Sequence, residues 1–451
     1  MSREKKPAVL TAIPALTDVL WGLLYTALCC SVYFMDENYY LIIPPVLLAM
    51  LVNVASGVGT YGGIPTVSLK ICRHGVSALT AFFVSAALSA GFHVWLGFRL
   101  LPDGYVTFIV SCAVFVSLSA MLFWNGAVSV YLTSVQLGVK YRVLGIVFFL
   151  IPPLNIIMLY IIIRRSSGEV RAETERYILD RSRAGLRVCA TRYPVLLVHG
   201  VFFRDFKYLS YWGRIPDALT ANGAQVYTGD HSSARAVADS AAELTERIKQ
   251  IVRDTGCGKV NVIAHSKGGL DMRYAIDNGA APYVASLTTV STPHRGCAFA
   301  DVLLEKIPEK VKLRIERTYN KAARKLGDKD PDFMAAVRDL TASSCSVFDR
   351  AHPVPDGILV LSIGSEQKGA LAGTFPVSLT YHLVRRFSGK NDGLVSFDSF
   401  RFGENYEYIT PKHSRGISHM DMTDMTRENI PDFDVREYYV RLVSSLKEKG
   451  L

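Results

Sequence analysis

Lys259-Val260-Asn261-Val262-Ile263-Ala264-His265-Ser266-Lys267-Gly268-Gly269 is the stretch on which the reading of this chain turns. Val260–Ile263 is rich in β-branched apolar residues and reads as a buried strand. It runs without a linker into small residues around Ser266, and Leu270–Asn278 then has helical character. A serine on a sharp strand-to-helix turn is the setting of a nucleophile elbow. The turn holds the hydroxyl at the carboxyl edge of the sheet, and small residues two before and two after it relieve the crowding. Those positions are Ala264 and Gly268, so alanine stands where glycine is usual. The five-residue pattern alone is weak; behind an apolar strand and ahead of Gly269 it is specific.

The flanking segments extend the pattern. Pro194–Gly200 reads as a second parallel strand ending in His199-Gly200, and Ala234–Arg253 as a helix with Ser232 or Ser233 as its cap. Strands alternating with helices predict an α/β fold with a mostly parallel sheet and helices on both faces. A hydroxyl nucleophile needs a base, and the base needs an orienting acid. On this architecture they follow in the order Ser, Asp or Glu, His. Asp392, in Lys390-Asn391-Asp392-Gly393, and His419, in Gly416-Ile417-Ser418-His419, complete that order. Taken singly, Asp392 reads equally well as part of an Asx turn and His419 as an ordinary loop histidine. His413 competes as a base; His382, in the apolar stretch Leu379–Val384, reads as packing. Asp398, Asp421 and Asp424 compete with Asp392. An oxyanion hole needs two backbone donors: the N–H of Lys267, and that of Val201, with Phe202 as the rival. His199 and His265 read as supports of their turns.

Residues 299–350 are charged at helical spacing, with helices expected over Asp301–Lys306, Lys310–Leu326 and Asp332–Phe348. The segment lies between two core strands, as an inserted helical cap would.

The N-terminal third has another composition. Ala15–Phe34, Tyr39–Val58, Ser77–Phe98, Tyr105–Trp124 and Val143–Ile163 are apolar runs of the length a spanning helix needs. The organisation expected is an all-α transmembrane region over 1–165, a charged linker over 166–190 and a hydrolase domain over 191–451. Basic residues at the N-terminus, at Lys70 and Arg73, and at Lys140 and Arg142 alternate with nearly uncharged loops, which places the N-terminus inside. The arginines that follow Ile163 also read as inside. Pro152-Pro153 would break the last run, leaving four spans, an interfacial hairpin and a cytoplasm-facing catalytic domain. The alternative is five spans with that domain outside.

The formal net charge is +10, much of it beside the apolar runs. That pattern fits membrane lipids as partners and not nucleic acid, which would want a basic stripe interleaved with aromatics. The eight cysteines form no Cys-x-x-Cys pair, so neither a zinc site nor a redox pair is expected.

Thr191 to about Lys447 resembles the bacterial true lipases, the triacylglycerol lipases with an Ala/Gly-His-Ser-x-Gly-Gly elbow. The resemblance is carried by Leu197-Val198-His199-Gly200, Val260–Gly269, Arg273-Tyr274, Ser291-Thr292-Pro293-His294-Arg295-Gly296, Asn391–Val395 and His419-x-Asp421. It implies an α/β-hydrolase fold, Ser266 as nucleophile, Asp392 as acid, His419 as base, and Val201 and Lys267 as oxyanion donors. It implies a lipid ester as substrate. Many members bind calcium through an aspartate at the position of Asp421, but partner ligands are not recognisable and Met425 stands where an oxygen donor would help. No metal or cofactor is therefore expected. The apolar N-terminal third has no counterpart in the family. A phospholipase or acyltransferase using the same triad, a catalytically silent membrane scaffold, and a transporter or receptor formed by the N-terminal third are the competing readings.

Overall fold

The computed structural model describes residues 9–35, 38–59, 61–101, 104–201, 210–325, 327–328, 330–373, 377–410 and 413–451. The chain forms two compact units, Met1–Leu179 and Asp180–Leu451.

The first unit contains α1 (Val9–Ser31), α2 (Ile43–Gly59), α3 (Val67–Leu100), α4 (Tyr105–Thr133), α5 (Gly138–Val147) and the start of α6 (Leu154–Arg183). Among the described residues, three helical stretches are long and apolar enough to cross a membrane: Leu16–Phe34, Val67–Leu100 and Tyr105–Thr133. The second apolar run gives a shorter helix, and the fifth is not one helix. α5 stops at Val147 and α6 restarts at Leu154, with the two prolines between them. The segment expected as a linker, residues 166–190, is helical as far as Arg183, as the continuation of α6. Its Glu, Arg, Ala and Leu residues are good helix formers.

α3 and α4 cross closely. A Cβ on Gly75 would lie 2.8 Å from the Ser129 Cβ and 2.9 Å from the Gly126 carbonyl oxygen. Small residues permit that approach between apolar helices. The first apolar run carries one acidic residue, Asp18. It is buried, and Arg73 of α3 grips both of its oxygens at 2.8 and 2.9 Å while the Ser77 hydroxyl donates at 2.6 Å. Asp18 and Arg73 side chains are only 7% and 11% exposed, so neither charge has water to fall back on. The pair ties α1 to α3.

The second unit is a six-stranded, wholly parallel sheet in the order β2-β1-β3-β4-β5-β6. Its elements run β1 (Val195–Val198), α7 (Ile215–Ala221), β2 (Val226–Thr228), α8 (Val237–Thr255), β3 (Val260–His265), α9 (Lys267–Ala275) and β4 (Val284–Val290). Then come α10 (Ala298–Lys306), α11 (Glu309–Lys325), α12 (Phe333–Asp339), α13 (Ala342–Ala351), β5 (Leu359–Ser365), α14 (Val377–Ser388), α15 (Phe397–Phe400), β6 (Tyr406–Ile409) and α16 (Val435–Glu448). This is the α/β-hydrolase architecture.

Both faces of the sheet are covered, which explains the unbroken apolar strands. Val195 and Leu197 of β1 pack with Trp212, Leu219, Tyr439 and Val443 on one face. Leu196 and Val198 pack with Leu244, Ile248, Val262 and Met272 on the other. α8 does not use the serine cap expected for it. Its first amide, Val237 N–H, donates to Asp339 at 2.7 Å, while Ser232 and Ser233 are held by Glu243 and Asp328. The third expected cap helix is two, since the Thr341 hydroxyl accepts from Ser344 N–H and starts α13 afresh.

Below the sheet edge, buried Arg273 donates to His294 Nδ1 at 3.2 Å and lies 3.8 Å over the Phe402 ring. A guanidinium only donates, so Nδ1 is the acceptor, and Nε2–H donates to the Thr289 hydroxyl at 3.0 Å. Burial, with the charges of Arg273 and Arg295, holds the His294 pKa well below its ordinary value.

Two outcomes are expected. Arg73→Gln leaves Asp18 uncompensated and lowers full-chain stability by about 3–5 kcal/mol; adding Asp18→Asn restores part of it, read as a thermal midpoint in detergent. The unfolded chain takes up the proton that folded His294 refuses, so its contribution is complete above pH ~6.5 and is lost below it, at up to about 1.4 kcal/mol per pH unit. His294→Gln keeps an acceptor for Arg273 and a donor for Thr289. The acid-side slope of unfolding free energy against pH therefore flattens by up to that amount.

Candidate active site

β3 delivers the chain to Ser266, which adopts φ 56° and ψ −131° before α9 begins at Lys267. A non-glycine residue rarely takes a positive φ, and doing so costs about 1–3 kcal/mol. The conformation is fixed from both sides. Ser266 N–H donates to Val290 O at 2.9 Å, continuing the β3–β4 ladder, and Gly269 N–H donates to Ser266 O at 3.1 Å. The neighbouring backbone comes close enough to demand glycine. A Cβ on Gly200 would sit 2.7 Å from the Ser266 Cβ, and one on Gly268 would collide with the His199 carbonyl oxygen. The loop after β1 therefore lies directly against the serine.

Asp392 and His419 meet, as the sequence order requires. His419 Nδ1 and Asp392 Oδ2 are 2.9 Å apart, with both side chains almost completely buried. His419 N–H also donates to Asp392 O at 2.8 Å. The other carboxylate oxygen, Oδ1, accepts from the amides of Leu394 at 3.0 Å and Val395 at 2.8 Å. The two oxygens divide their contacts: Oδ1 closes an Asx turn while Oδ2 faces His419, and the turn is closed as well by Gly393 N–H donating to Asn391 Oδ1 at 2.8 Å.

Both loops are fastened to the end of β5. Gln367 N–H donates to Asn391 O at 2.9 Å and Ile417 N–H to Glu366 O at 2.8 Å.

His265 joins the remaining parts. It is buried, and burial together with nearby His419 holds its pKa well below the ordinary value. Its neutral ring faces the His419 carbonyl oxygen through Nε2 at 3.1 Å, so Nε2 carries the proton. Nδ1 then accepts from the Tyr211 hydroxyl at 2.6 Å, and that hydroxyl accepts from Gly200 N–H at 3.1 Å. One line of hydrogen bonds thus connects the loop after β1, the elbow and the His419 loop. Tyr211 was not singled out in the sequence, where nothing distinguishes it from a core tyrosine.

Lys267 opens α9, so its N–H has no intrahelical acceptor. Its side chain turns inward and donates to Asp271 at 2.6 Å and to the Ser240 hydroxyl at 3.1 Å. Val201 is buried against α10 and α12, in a cluster with Leu303, Phe333 and Val337. Phe202 lies outside the described residues.

The competing residues stand elsewhere. His382 is exposed on α14 rather than packed, and exposed His413 accepts from Arg415 N–H. Asp398 is exposed, and Asp424 is paired with Arg214 at 2.7 Å. Asp421 gives both oxygens to Arg415, at 2.8 and 3.2 Å, and one also accepts from Ser418. A guanidinium thus occupies the carboxylate that a calcium ion would need. Among the described residues no cluster of three or more His, Cys, Asp or Glu could hold a metal ion. A surface cavity lined by Arg295, Asp301, Lys306, Phe387 and Asp398 includes none of Ser266, Asp392 and His419.

No model of a known protein family matches the chain. A triacylglycerol lipase of Pseudarthrobacter phenanthrenivorans is 33% identical over 212 residues, covering 44% of this chain and 65% of the relative. One from Burkholderia plantarii is also 33% identical over 212 residues, covering 44% of this chain and 58% of the relative. The chain thus spans less than two thirds of either relative. A triacylglycerol lipase of Pseudomonas fragi is 27% identical over 289 residues, with 58% of this chain and 98% of that protein covered. Among solved structures, Staphylococcus hyicus lipase aligns with a TM-score of 0.45 at 16% identity, over 57% of this chain and 97% of that one. The C-terminal unit of this chain is an α/β-hydrolase domain homologous to triacylglycerol lipases.

Proposed function

We propose that the protein is a membrane-anchored serine hydrolase that cleaves carboxylic esters of lipids through Ser266, His419 and Asp392. The observation that carries this reading is the buried His419–Asp392 hydrogen bond of 2.9 Å, tied through His265 to the turn that presents Ser266. The proposed organisation is a membrane region over residues 1–165 and a hydrolase domain over 191–451, with its cap at about 299–350.

In this mechanism Ser266 Oγ attacks the ester carbonyl carbon as His419 Nε2 takes its proton. Asp392 Oδ2 accepts from Nδ1–H, which fixes the tautomer and stabilises the imidazolium. The amides of Lys267 and Val201 receive the developing oxyanion. His419 returns the proton to the leaving alcohol, an acyl-enzyme remains, and water activated by the same histidine releases the acid. No cofactor is needed.

Lipid esters are the substrate class supported by the lipase relatives and by the apolar N-terminal helices. An anchor holds the site where such esters are concentrated, a gain in effective concentration without new contacts. A phospholipase or an acyltransferase would use the same residues with another substrate or acceptor. For topology the reading is four spans with the catalytic domain facing the cytoplasm, supported by the alternation of basic loops and by the break at Pro152-Pro153.

Wild-type protein in detergent is expected to react with a fluorophosphonate probe and to hydrolyse p-nitrophenyl esters, and Ser266→Ala to do neither. Asp392→Asn is expected to lower kcat by about 10³–10⁴-fold while the chain stays folded. If wild type is not labelled, the scaffold reading replaces this one. Single cysteines introduced at Gly62 and Arg187, in a background without reactive thiols, should be labelled from the same side of the membrane. Labelling from opposite sides rules out the four-span arrangement.

A further inference from the structure

The cap helix α11 reads EKVKLRIERTYNKAARK and holds seven basic residues against two acidic ones. Their placement is not scattered. At about 100° per residue, Lys310, Arg314, Arg317, Lys321, Arg324 and Lys325 fall within a single arc of about 100°. All six are exposed. Among the described residues the one ion pair of this helix is Lys312 with Glu309, at 2.9 Å, and Lys312 lies off the ridge. The opposite face is anchored: Ile315 and Tyr319 pack against the cap cluster, with the Tyr319 and Phe333 rings 4.3 Å apart. The cations therefore project outward as a line.

Spacings of three and four residues put like charges next to one another, which destabilises a helix. A face that served solubility alone would mix in acids at these positions, and this one has none. Apolar side chains flank the ridge. Val311, on one side of the arc, is 46% exposed, and Leu313, on the other, 42%. Cations bordered by short apolar side chains fit a bilayer surface, where lysine and arginine reach headgroup phosphates while the flanking side chains enter the boundary. A nucleic-acid surface would want stacking aromatics among the cations, and the arc has none.

We propose that the outer face of α11 is a docking surface for an anionic lipid bilayer, which holds the helical cap of the hydrolase domain against the membrane. This rests on the membrane-anchored reading above and adds to it a preference for the lipids among which the enzyme works. Each cation brought to an anionic surface favours the docked state by about five-fold, and ordinary salt weakens the effect. Six together make docking depend strongly on lipid charge.

The test uses the full chain in nanodiscs of phosphatidylcholine alone and with about one third phosphatidylglycerol, a surface of the negative sign required. Amide hydrogen exchange is followed over residues 309–325. Exchange is expected to slow several-fold in the anionic discs only, to return towards the neutral-disc rate at high salt, and to be indifferent to lipid charge in a variant carrying Lys310→Gln, Arg314→Gln, Arg317→Gln and Lys321→Gln. Fluorophosphonate labelling of Ser266 should be the same in variant and wild type. If the fourfold variant does not fold, Arg317→Gln and Lys321→Gln made singly should each reduce the lipid-dependent protection by a few-fold. Equal exchange in the two kinds of disc, or protection that survives removal of the cations, overturns the proposal. Exchange does not depend on turnover, so a wild type that is protected but not labelled would sink the hydrolase reading and leave this one standing.

Discussion

The left-handed turn at Ser266 is the constraint around which the C-terminal unit is built. A serine at φ 56° does not stay there by its own preference. It is held because β3 and α9 are both committed elsewhere: the strand to ladders with β1 and β4, the helix to a core shared with Val198, Ala241 and Leu244. The chain has one residue in which to reverse between them. Close packing of the loop after β1 onto that residue then dictates Gly200 and Gly268. Val201 and Lys267, the proposed oxyanion donors, follow Gly200 and Ser266 directly in the chain, so both belong to the two segments pressed together here.

His419 and Asp392, the proposed base and acid, are positioned by a different route. Neither lies directly on a strand. The segments bearing Asp392 and His419 are bound to the residues just past β5, at Glu366 and Gln367, and to each other. β5 therefore aligns the proposed acid and base by extending its own hydrogen-bonding edge. The insertion of α14 between β5 and Asp392 is tolerated because the loop is fastened at its far end, not along its length.

Much of this was legible in the sequence where local chemistry and tertiary role agree. β3, the turn and α9 combine β-branched residues, small residues and a helix start in consecutive positions, so the elbow could be read directly. The apolar strands follow for the same reason, whereas Asp392 and His419 stand out only by their order after Ser266 and not by their local sequence. What escaped depends on partners far along the chain. The N-terminus of α8 takes its acceptor from Asp339, some hundred residues away, while the two serines beside it serve other carboxylates. Tyr211 looks like any core tyrosine until His265 and Gly200 are placed around it. Asp18 sits in an apolar run, and its charge makes sense only once Arg73 stands opposite. His382 looked like packing from its neighbours, but the helix it lies on turns it outward.

Lys267 shows how a charge that looks misplaced can serve the turn. A lysine beside the nucleophile would be expected to reach solvent or substrate, yet its side chain is 1% exposed and bonded to Asp271 one helical turn on. Burial pushes the Asp271 carboxyl up to about 7, with the Lys267 charge acting against it. An ion pair of this kind adds little net stability, since desolvation offsets the attraction, but losing either partner leaves an uncompensated charge. Its consequence is geometric. The pair closes the first turn of α9 from inside, and the Ser240 hydroxyl ties Lys267 to α8 as well. The backbone of Lys267, whose amide is the proposed oxyanion donor, is therefore fixed by its own side chain. That side chain need not take part in the chemistry for the residue to matter to it.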